Sequence, residues 1–211
     1  MIISHRHRFC FFAIPRTGST AVARALLRAG YGEEVKPQHI SYEEFMTGQT
    51  RDVRSYFTFT IVRNPLDSVV SAYFKKKNDH NGRFSRGTFK SGRPIAPRQL
   101  EAYRFIRDND ASFAEYFRKF HTAPYRLPRH EATAAAVDKV LRFERLAADL
   151  NETLAALNLP ALAIPRTNPT AGRKSDFTQY YTPPIRSLAQ RNFSDIMESW
   201  GYDFPESWDI C

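Results

Sequence analysis

Apolar and polar positions near the start of the chain follow a strand–turn–helix pattern. Residues 9–14 form an unbroken apolar run, which is typical of a strand buried on both faces. A polar turn at residues 15–20 follows, and apolar residues then recur at helical spacing until Gly30, where we expect the helix to stop. These helical apolar positions are Ala21, Val22, Ala25, Leu26 and Ala29.

The same pattern recurs later in the chain. Residues 56–62 are β-branched and aromatic throughout, which predicts a second strand. Arg63 follows the strand, and Asn64-Pro65 predicts a helix start, because Asn caps helices and Pro fits the first helical position. This helix should continue to about Lys77 and carry Ser71 on the face that also bears Asn64.

Strands and helices alternate along most of the chain. The remaining signals are a capping box formed by Ser41 and Glu44, a third strand candidate at 137–143, and helical patterns at 99–120, 146–157 and 183–200. The first helical pattern contains an apolar stripe, Phe113, Phe117 and Phe120. Loops are predicted around Pro124 and Pro128 and at residues 165–176, which are rich in Pro, Asn and Gly. This order predicts the α/β class, with a central, mostly parallel sheet flanked by helices. With 211 residues and no linker or repeat, we expect a single domain over residues 1–211.

Composition and charge restrict the class of partner. Hydrophobic residues make up 42% of the chain, as in globular proteins, and no stretch approaches the roughly 20 apolar residues of a membrane span. The formal net charge of +9 favours an anionic partner. The basic residues His5–Arg8 leave no room for a secretory segment, and Cys10 and Cys211 make no disulfide framework. We therefore expect a soluble cytoplasmic protein with Cys10 as a reduced core thiol.

Residues 75–98 differ from the rest of the chain in composition. Eight Lys or Arg residues stand against a single acid, Asp79, among three glycines and two prolines. This composition predicts a basic excursion that is mobile and solvated, and the alternative is a flap that binds an anionic acceptor. Aromatic residues interleaved for base stacking are few here, so we expect no nucleic-acid partner.

The two polar turns that follow the first two predicted strands have the chemistry of an anion site. The turn 15–20 contains Gly18 and opens a helix, so free N–H groups and the positive end of the helix dipole face one point. Arg16 and Arg63 add permanent charges that suit phosphate or sulfate. The turn is neither the common nucleotide loop G-x-x-x-x-G-K-[ST] nor the dinucleotide fingerprint, because it has one glycine and no Gly-Lys-Thr.

Both turns resemble the donor-binding motifs of sulfotransferases. Ile14-Pro-Arg-Thr-Gly-Ser-Thr20 is similar to their 5′-phosphosulfate loop, P-K-[TS]-G-[ST]-[TS], and residues 63–73 are similar to their 3′-phosphate motif, R-[DN]-P-x-x-x-x-x-S-x-Y. The branch with heparan 2-O-sulfotransferase-like and bacterial glycan-modifying enzymes is the closer likeness, since His39-Ile-Ser-Tyr-Glu-Glu-Phe45 matches its H-x-S-Y-x-x-F segment. Residues 140–144, 180–181 and 200–204 also resemble that branch.

The resemblance implies a P-loop-NTPase-like sulfotransferase fold and a role for each matched residue. The enzyme would transfer a sulfuryl group from 3′-phosphoadenosine 5′-phosphosulfate (PAPS) to a hydroxyl, less readily an amine, and release 3′-phosphoadenosine 5′-phosphate (PAP) without a metal. The implied acceptor is a glycan, glycolipid or other small molecule, including anionic ones. The implied base is His39, and Arg16 takes the place of the family's catalytic Lys. The residues implied to contact the donor are Arg16, Thr17, Gly18, Ser19, Thr20, Arg63, Ser71, Arg173 and Lys174.

Two alternatives from other classes stay open at the level of sequence. One is a P-loop-like small-molecule kinase, which would need Mg²⁺ and ATP, although the chain has neither a Walker Lys nor an evident metal carboxylate. The other is a nucleotide-binding or nucleic-acid-binding protein without catalysis, which only the charge favours.

Overall fold

The computed structural model describes residues 1–164 and 171–208. Its described residues fall into two compact units, of which the first contains residues 1–64 and 127–164 and the second contains residues 65–126 and 171–208. The late loop expected at 165–176 and the terminal Cys211 thus lie partly or wholly outside the described residues. One domain over residues 1–211 stays a prediction.

A five-stranded sheet forms the centre of the first unit, in the order β3-β1-β2-β4-β5. The strands are β1 (Ile2–Ser4), β2 (Phe9–Phe12), β3 (Glu33–Glu34), β4 (Phe57–Val62) and β5 (Lys139–Arg142). The pairs β2–β4 and β4–β5 are parallel, whereas β1 is antiparallel to both of its neighbours. Four strands therefore point the same way, which confirms the mostly parallel sheet.

Short helices cover both faces of this sheet. They are α1 (Ser19–Arg28), α2 (Tyr42–Met46), α3 (Arg51–Arg54), α8 (Pro128–Ala136) and α9 (Leu146–Ala156). On one face, Phe11 and Phe59 pack with Leu26 of α1 and Leu154 of α9. On the other face, Phe12 packs with residues of α2 and α3. Both faces of β2 are thus buried, as its continuous apolar run predicted.

Cys10 lies in the second of these two cores, on β2. It is a free cysteine with no exposed surface. Burial raises the pKa of its thiol to about 12, because the thiolate would have to form away from water. Within the described residues, Cys10 therefore behaves as the reduced core thiol that the sequence predicted.

The second unit is helical. Its helices are α4 (Pro65–Lys77), α5 (Arg83–Arg86), α6 (Pro97–Asp108), α7 (Phe113–Phe120) and α10 (Pro183–Ser199). Phe113, Phe117 and Phe120 are all buried, which confirms the predicted apolar stripe. Tyr181 and Phe193 complete this aromatic core, with ring centroids 5.3 and 5.8 Å from Phe117.

Two predicted segments were wrong in detail. The helical pattern at 99–120 is two helices, because Asp110 adopts a left-handed φ of 42° and Ser112 starts α7 with a capping box to Glu115. Pro128 was expected to lie in a loop, but it occupies the first turn of α8. A proline is well tolerated there, since the N–H that it lacks would have no helical partner in any case.

The basic segment 75–98 contains more apolar packing than its composition suggested. Phe84 and Ile95 are buried with Tyr103 of α6. Between them the chain forms a tight turn, in which the N–H of Phe89 donates to the carbonyl of Arg93 over 2.9 Å. The mobility of this segment and its role toward an anionic acceptor stay predictions.

Among the residues that the structure describes, none of the helices is both long and apolar enough to cross a lipid bilayer.

The aromatic core of the second unit predicts how stability depends on pH. The ring of His121 stacks on Phe117, with centroids 5.0 Å apart. Burial lowers the pKa of His121 from 6.5 to about 3, and the charges of Lys76 and Arg98 act in the same direction. Below about pH 6.5, His121 binds a proton in the unfolded chain but not in the folded chain. The free energy of unfolding should therefore decrease as the pH drops from about 6.5 toward 3, and His121 contributes at most about 1.4 kcal/mol per pH unit to this decrease.

Urea unfolding of wild type and His121→Gln between pH 7.5 and 5 checks this expectation. The Gln side chain cannot titrate, so the variant should lose less stability than wild type as the pH falls. Parallel pH profiles for the two proteins would show that His121 does not carry this dependence.

Candidate active site

The loop after β2 is held in shape by hydroxyl groups. The side chains of Thr17 and Ser19 both donate to the carbonyl of Ile14, over 2.8 and 2.6 Å, and both are buried. Gly18 has a left-handed φ of 82° and immediately precedes α1. Since the hydroxyl protons of Thr17 and Ser19 are used inside the loop, Thr20 carries the exposed hydroxyl of the loop.

The backbone N–H groups of residues 17–20 are the unusual feature of this loop. Within the described residues, none of these four amides has a protein acceptor, whereas the next two, at Ala21 and Val22, both donate to the carbonyl of Gly18. Arg16 is exposed and has a left-handed φ of 70°, so left-handed residues flank Thr17. Successive N–H groups in such turns form anion-binding concavities, and the helix start favours negative charge at the same place.

Arg63 lies beside this loop because its strand does. β4 is the parallel neighbour of β2, so both carboxyl ends lie at one edge of the sheet. Arg63 is only 6% exposed, and its Nη1 donates to the carbonyl of Arg16 over 3.4 Å. Its guanidinium carbon lies 4.3 Å from the centroid of the Phe143 ring. The structure therefore brings together the two motifs that the sequence placed 47 residues apart.

Phe143 lies within the family-like segment 140–144, but the sequence predicted no role for it. It follows β5, and its ring also contacts the loop: a Cβ built on Gly18 would lie 3.1 Å from its Cδ2 and from Cδ2 of Leu146. The signal available in the sequence was the resemblance of residues 140–144 to a family segment. Nothing in that segment alone indicated that the ring would meet both Gly18 and Arg63.

The His39 side chain is exposed to solvent, and one of its ring nitrogens is held by a hydrogen bond. Its Nδ1 lies 2.7 Å from the carbonyl oxygen of Ala13, the residue that follows β2. A carbonyl can only accept, so Nδ1 carries the proton and the neutral ring has its lone pair on Nε2. The predicted capping box between Ser41 and Glu44 is present and anchors the chain just after His39.

His130 on α8 lies within electrostatic range of His39. Burial lowers the pKa of His130; the charge of Arg129, and of His39 when that ring is protonated, acts in the same direction, whereas Glu131 opposes it. Arg129 also pairs with Glu44 of α2. The ion pair joins α8 to the helix that follows His39.

The second unit carries the other predicted donor contacts. Ser71 is buried on α4, one turn after Asp67, whose carboxylate pairs with Arg173. Arg173 is therefore held at the first turns of the helix that bears Ser71. Lys174 is exposed; its backbone N–H donates to the Tyr180 hydroxyl over 2.8 Å and its Nζ donates to Gln179 over 3.2 Å.

Comparison with known proteins decides the family. The chain matches the model of the sulfotransferase family over residues 1–201. The chain belongs to the sulfotransferase family. It is also 33% identical over 119 residues to carbohydrate sulfotransferase 10 of Xenopus laevis, a match that covers 49% of this chain. The match covers 32% of that relative, so the chain spans about a third of its length. No solved structure matches the chain.

Family membership confirms the resemblance from which the motifs were interpreted. It also agrees with the α/β fold, in which the loop after β2 and the residue after β4 meet at one edge of a mostly parallel sheet. In this member of the family, Arg16 occupies the position at which the family motif has Lys.

The geometry of Gly18 predicts a measurable cost for a side chain there. Gly18→Ala should destabilise the protein by about 2–4 kcal/mol, because the new Cβ pays for a left-handed φ and also presses on Phe143 and Leu146. Gly30→Ala is a matched control: its φ is 68°, and nothing lies within 4 Å of the added Cβ. Urea unfolding should show the larger loss for Gly18→Ala, and equal losses would mean that the contacts with Phe143 and Leu146 cost nothing.

Proposed function

We propose that this protein transfers a sulfuryl group from PAPS to a hydroxyl of a carbohydrate. The observation that carries the proposal is the loop 15–20, where four amides without an acceptor among the described residues lie beside a buried Arg63. Family membership supports the reaction, and the carbohydrate sulfotransferase among the relatives supports the acceptor class.

The residues present fit the two ends of such a donor. The amides of residues 17–20, the Thr20 hydroxyl and the Arg16 guanidinium offer donors and positive charge to the 5′-phosphosulfate. Arg63 offers a charge-assisted contact to the 3′-phosphate. Ser71, Arg173 and Lys174 are assigned to the same donor by their motif positions, and these assignments rest on the sequence.

The chemistry requires a base on one side of the sulfur and charge stabilisation on the other. The acceptor oxygen forms a bond to sulfur while the bond from sulfur to the 5′-phosphate oxygen breaks. The acceptor proton passes to Nε2 of His39, since Nδ1 is committed to the Ala13 carbonyl. The charge that develops on the leaving phosphate falls on Arg16 and the loop amides, which are oriented before reaction.

Arg16 defines one difference from the usual family chemistry. A guanidinium stays charged at any working pH and can bind two oxygens at once. A Lys in this place could move one ammonium between the sulfuryl group and another partner, whereas Arg16 would act as a permanent clamp. The proposed mechanism therefore uses Arg16 for stabilisation of the leaving group and assigns it no proton transfer.

The function is tested by incubating the protein with ³⁵S-labelled PAPS and a panel of neutral and acidic oligosaccharides, with small-molecule alcohols for comparison. We expect labelled sulfate on a carbohydrate, with the mass of one added sulfuryl group and with no loss of rate in the presence of EDTA. Phosphate transfer from ATP that requires Mg²⁺ would favour the kinase alternative. Binding of PAP without turnover on any acceptor would favour a binding protein.

Arg63→Ala tests the assignment of the 3′-phosphate. Loss of a charge-assisted contact should weaken PAP binding by about 2–3 kcal/mol, or roughly 30- to 150-fold. Arg24→Ala is the control, because Arg24 is an exposed cation on α1 and its loss changes the net charge equally. Titration calorimetry with PAP and with AMP, which lacks the 3′-phosphate, should show a large effect of Arg63→Ala on PAP alone. Equal effects on both nucleotides would contradict the assignment.

His39→Ala tests the proposed base. Turnover should fall by about 10²–10⁴-fold, while PAP affinity stays close to that of wild type, because the base acts on the acceptor and not on the nucleotide. His7→Ala serves as the control for loss of a histidine, because His7 lies in the turn between β1 and β2, at the opposite end of β2. An unchanged turnover number in His39→Ala would remove His39 from the mechanism.

A further inference from the structure

The ring of Phe143 makes two contacts that have separate consequences. Its centroid lies 4.3 Å from the guanidinium carbon of Arg63. The edge of the same ring, at Cδ2 and Cε2, lies 3.1 and 3.2 Å from the position of a Cβ built on Gly18. One side chain thus adjoins both the turn that opens α1 and the arginine that follows β4.

The backbone on both sides of Phe143 is tied in place. β5 pairs with β4 up to the register Val62–Arg142. The N–H of Arg142 donates to Asp149 over 2.8 Å, and the N–H of Asn64 donates to Glu144 Oε1 over 2.9 Å. The residues before and after Phe143 are therefore fixed relative to both β4 and α9, which limits the positions that the ring can take.

The nature of the Arg63 contact matters for an anion site. A cation over an aromatic face is held by the ring quadrupole, and the contact consumes none of its N–H donors. A carboxylate in the same place would neutralise the charge and occupy the donors, which would oppose binding of a phosphate. The contact with the Phe143 ring therefore orients Arg63 without adding a negative charge and without occupying one of its N–H donors.

We infer that Phe143 is a positioning residue, which holds the Arg63 guanidinium in the orientation that receives the 3′-phosphate of the donor. The inference rests on the proposed function, because it takes PAPS and PAP as the ligands. It assigns Phe143 no contact with the reacting atoms. The edge of the same ring adjoins Gly18 in the loop proposed to bind the 5′-phosphosulfate.

Phe143→Leu separates the aromatic face from simple packing. Leucine fills most of the space beside Gly18 but has no ring quadrupole, whereas Phe143→Tyr keeps the ring. We expect Phe143→Leu to weaken PAP binding by about 3- to 30-fold and Phe143→Tyr to stay within about twofold of wild type. AMP binding should change little in either variant.

A double-mutant cycle measures the coupling between Phe143 and Arg63 in PAP affinity, which distinguishes a positioning role from a merely structural one. If Phe143 acts through Arg63, then Phe143→Leu should have almost no further effect on PAP affinity in the Arg63→Ala background. Thermal unfolding of all four proteins shows that the binding differences are not losses of folded protein.

The outcomes are distinct. Additive effects of Phe143→Leu and Arg63→Ala, or an equal loss of AMP and PAP binding in Phe143→Leu, would overturn the positioning role and indicate that the ring acts independently of Arg63. Wild-type protein that binds no PAP would overturn the proposed donor, and with it the inference. If wild-type protein binds PAP and the effects of Phe143→Leu and Arg63→Ala on PAP affinity are not additive, then both the proposed donor and the positioning role of Phe143 are supported.

Discussion

The parallel pairing of β2 with β4 is the constraint on which the candidate site depends. Parallel neighbours end at the same edge of a sheet, so the turn after Phe12 and the residue after Val62 must lie close together. β5 extends the same arrangement, and the residue after it, Phe143, meets both. Three loops from three adjacent parallel strands thereby converge on one point, and each supplies a different element: amide groups, a cation and an aromatic ring.

A buried cation at this point needs compensation. Arg63 is almost fully withdrawn from water, and a charge in such a place is tolerated only with partners. The Arg16 carbonyl and the Phe143 face are two of them, and neither carries a full negative charge. These contacts hold the Arg63 cation at the edge of the sheet where the amides of residues 17–20 lie. In the second unit, Arg173 pairs with the Asp67 carboxylate.

Local sequence signals predicted helix starts better than chain breaks. The capping box at Ser41 and the proline at 65 act through hydrogen bonds and φ values within one turn, so they are legible in isolation. The chain break at Asp110 lies between two helices whose apolar residues have the same spacing, so the spacing alone does not reveal the break. β1 and β3 have three and two residues, and they exist as strands only because the sheet supplies their partners.

The amino-acid sequence by itself determined the two strand–turn–helix units, β2 with α1 and β4 with α4, and placed Arg16 and Arg63 directly after their strands and His39 just before a capping box, because each follows from residue types within a few positions. Only the tertiary structure decided which hydroxyls close the loop on Ile14, which nitrogen of His39 contacts the Ala13 carbonyl, and that Phe143 lies between Gly18 and Arg63. These features depend on contacts between residues 26 to 125 positions apart or on the direction of single hydrogen bonds. Such contacts are fixed by how the strands pair, and a linear pattern does not contain that information.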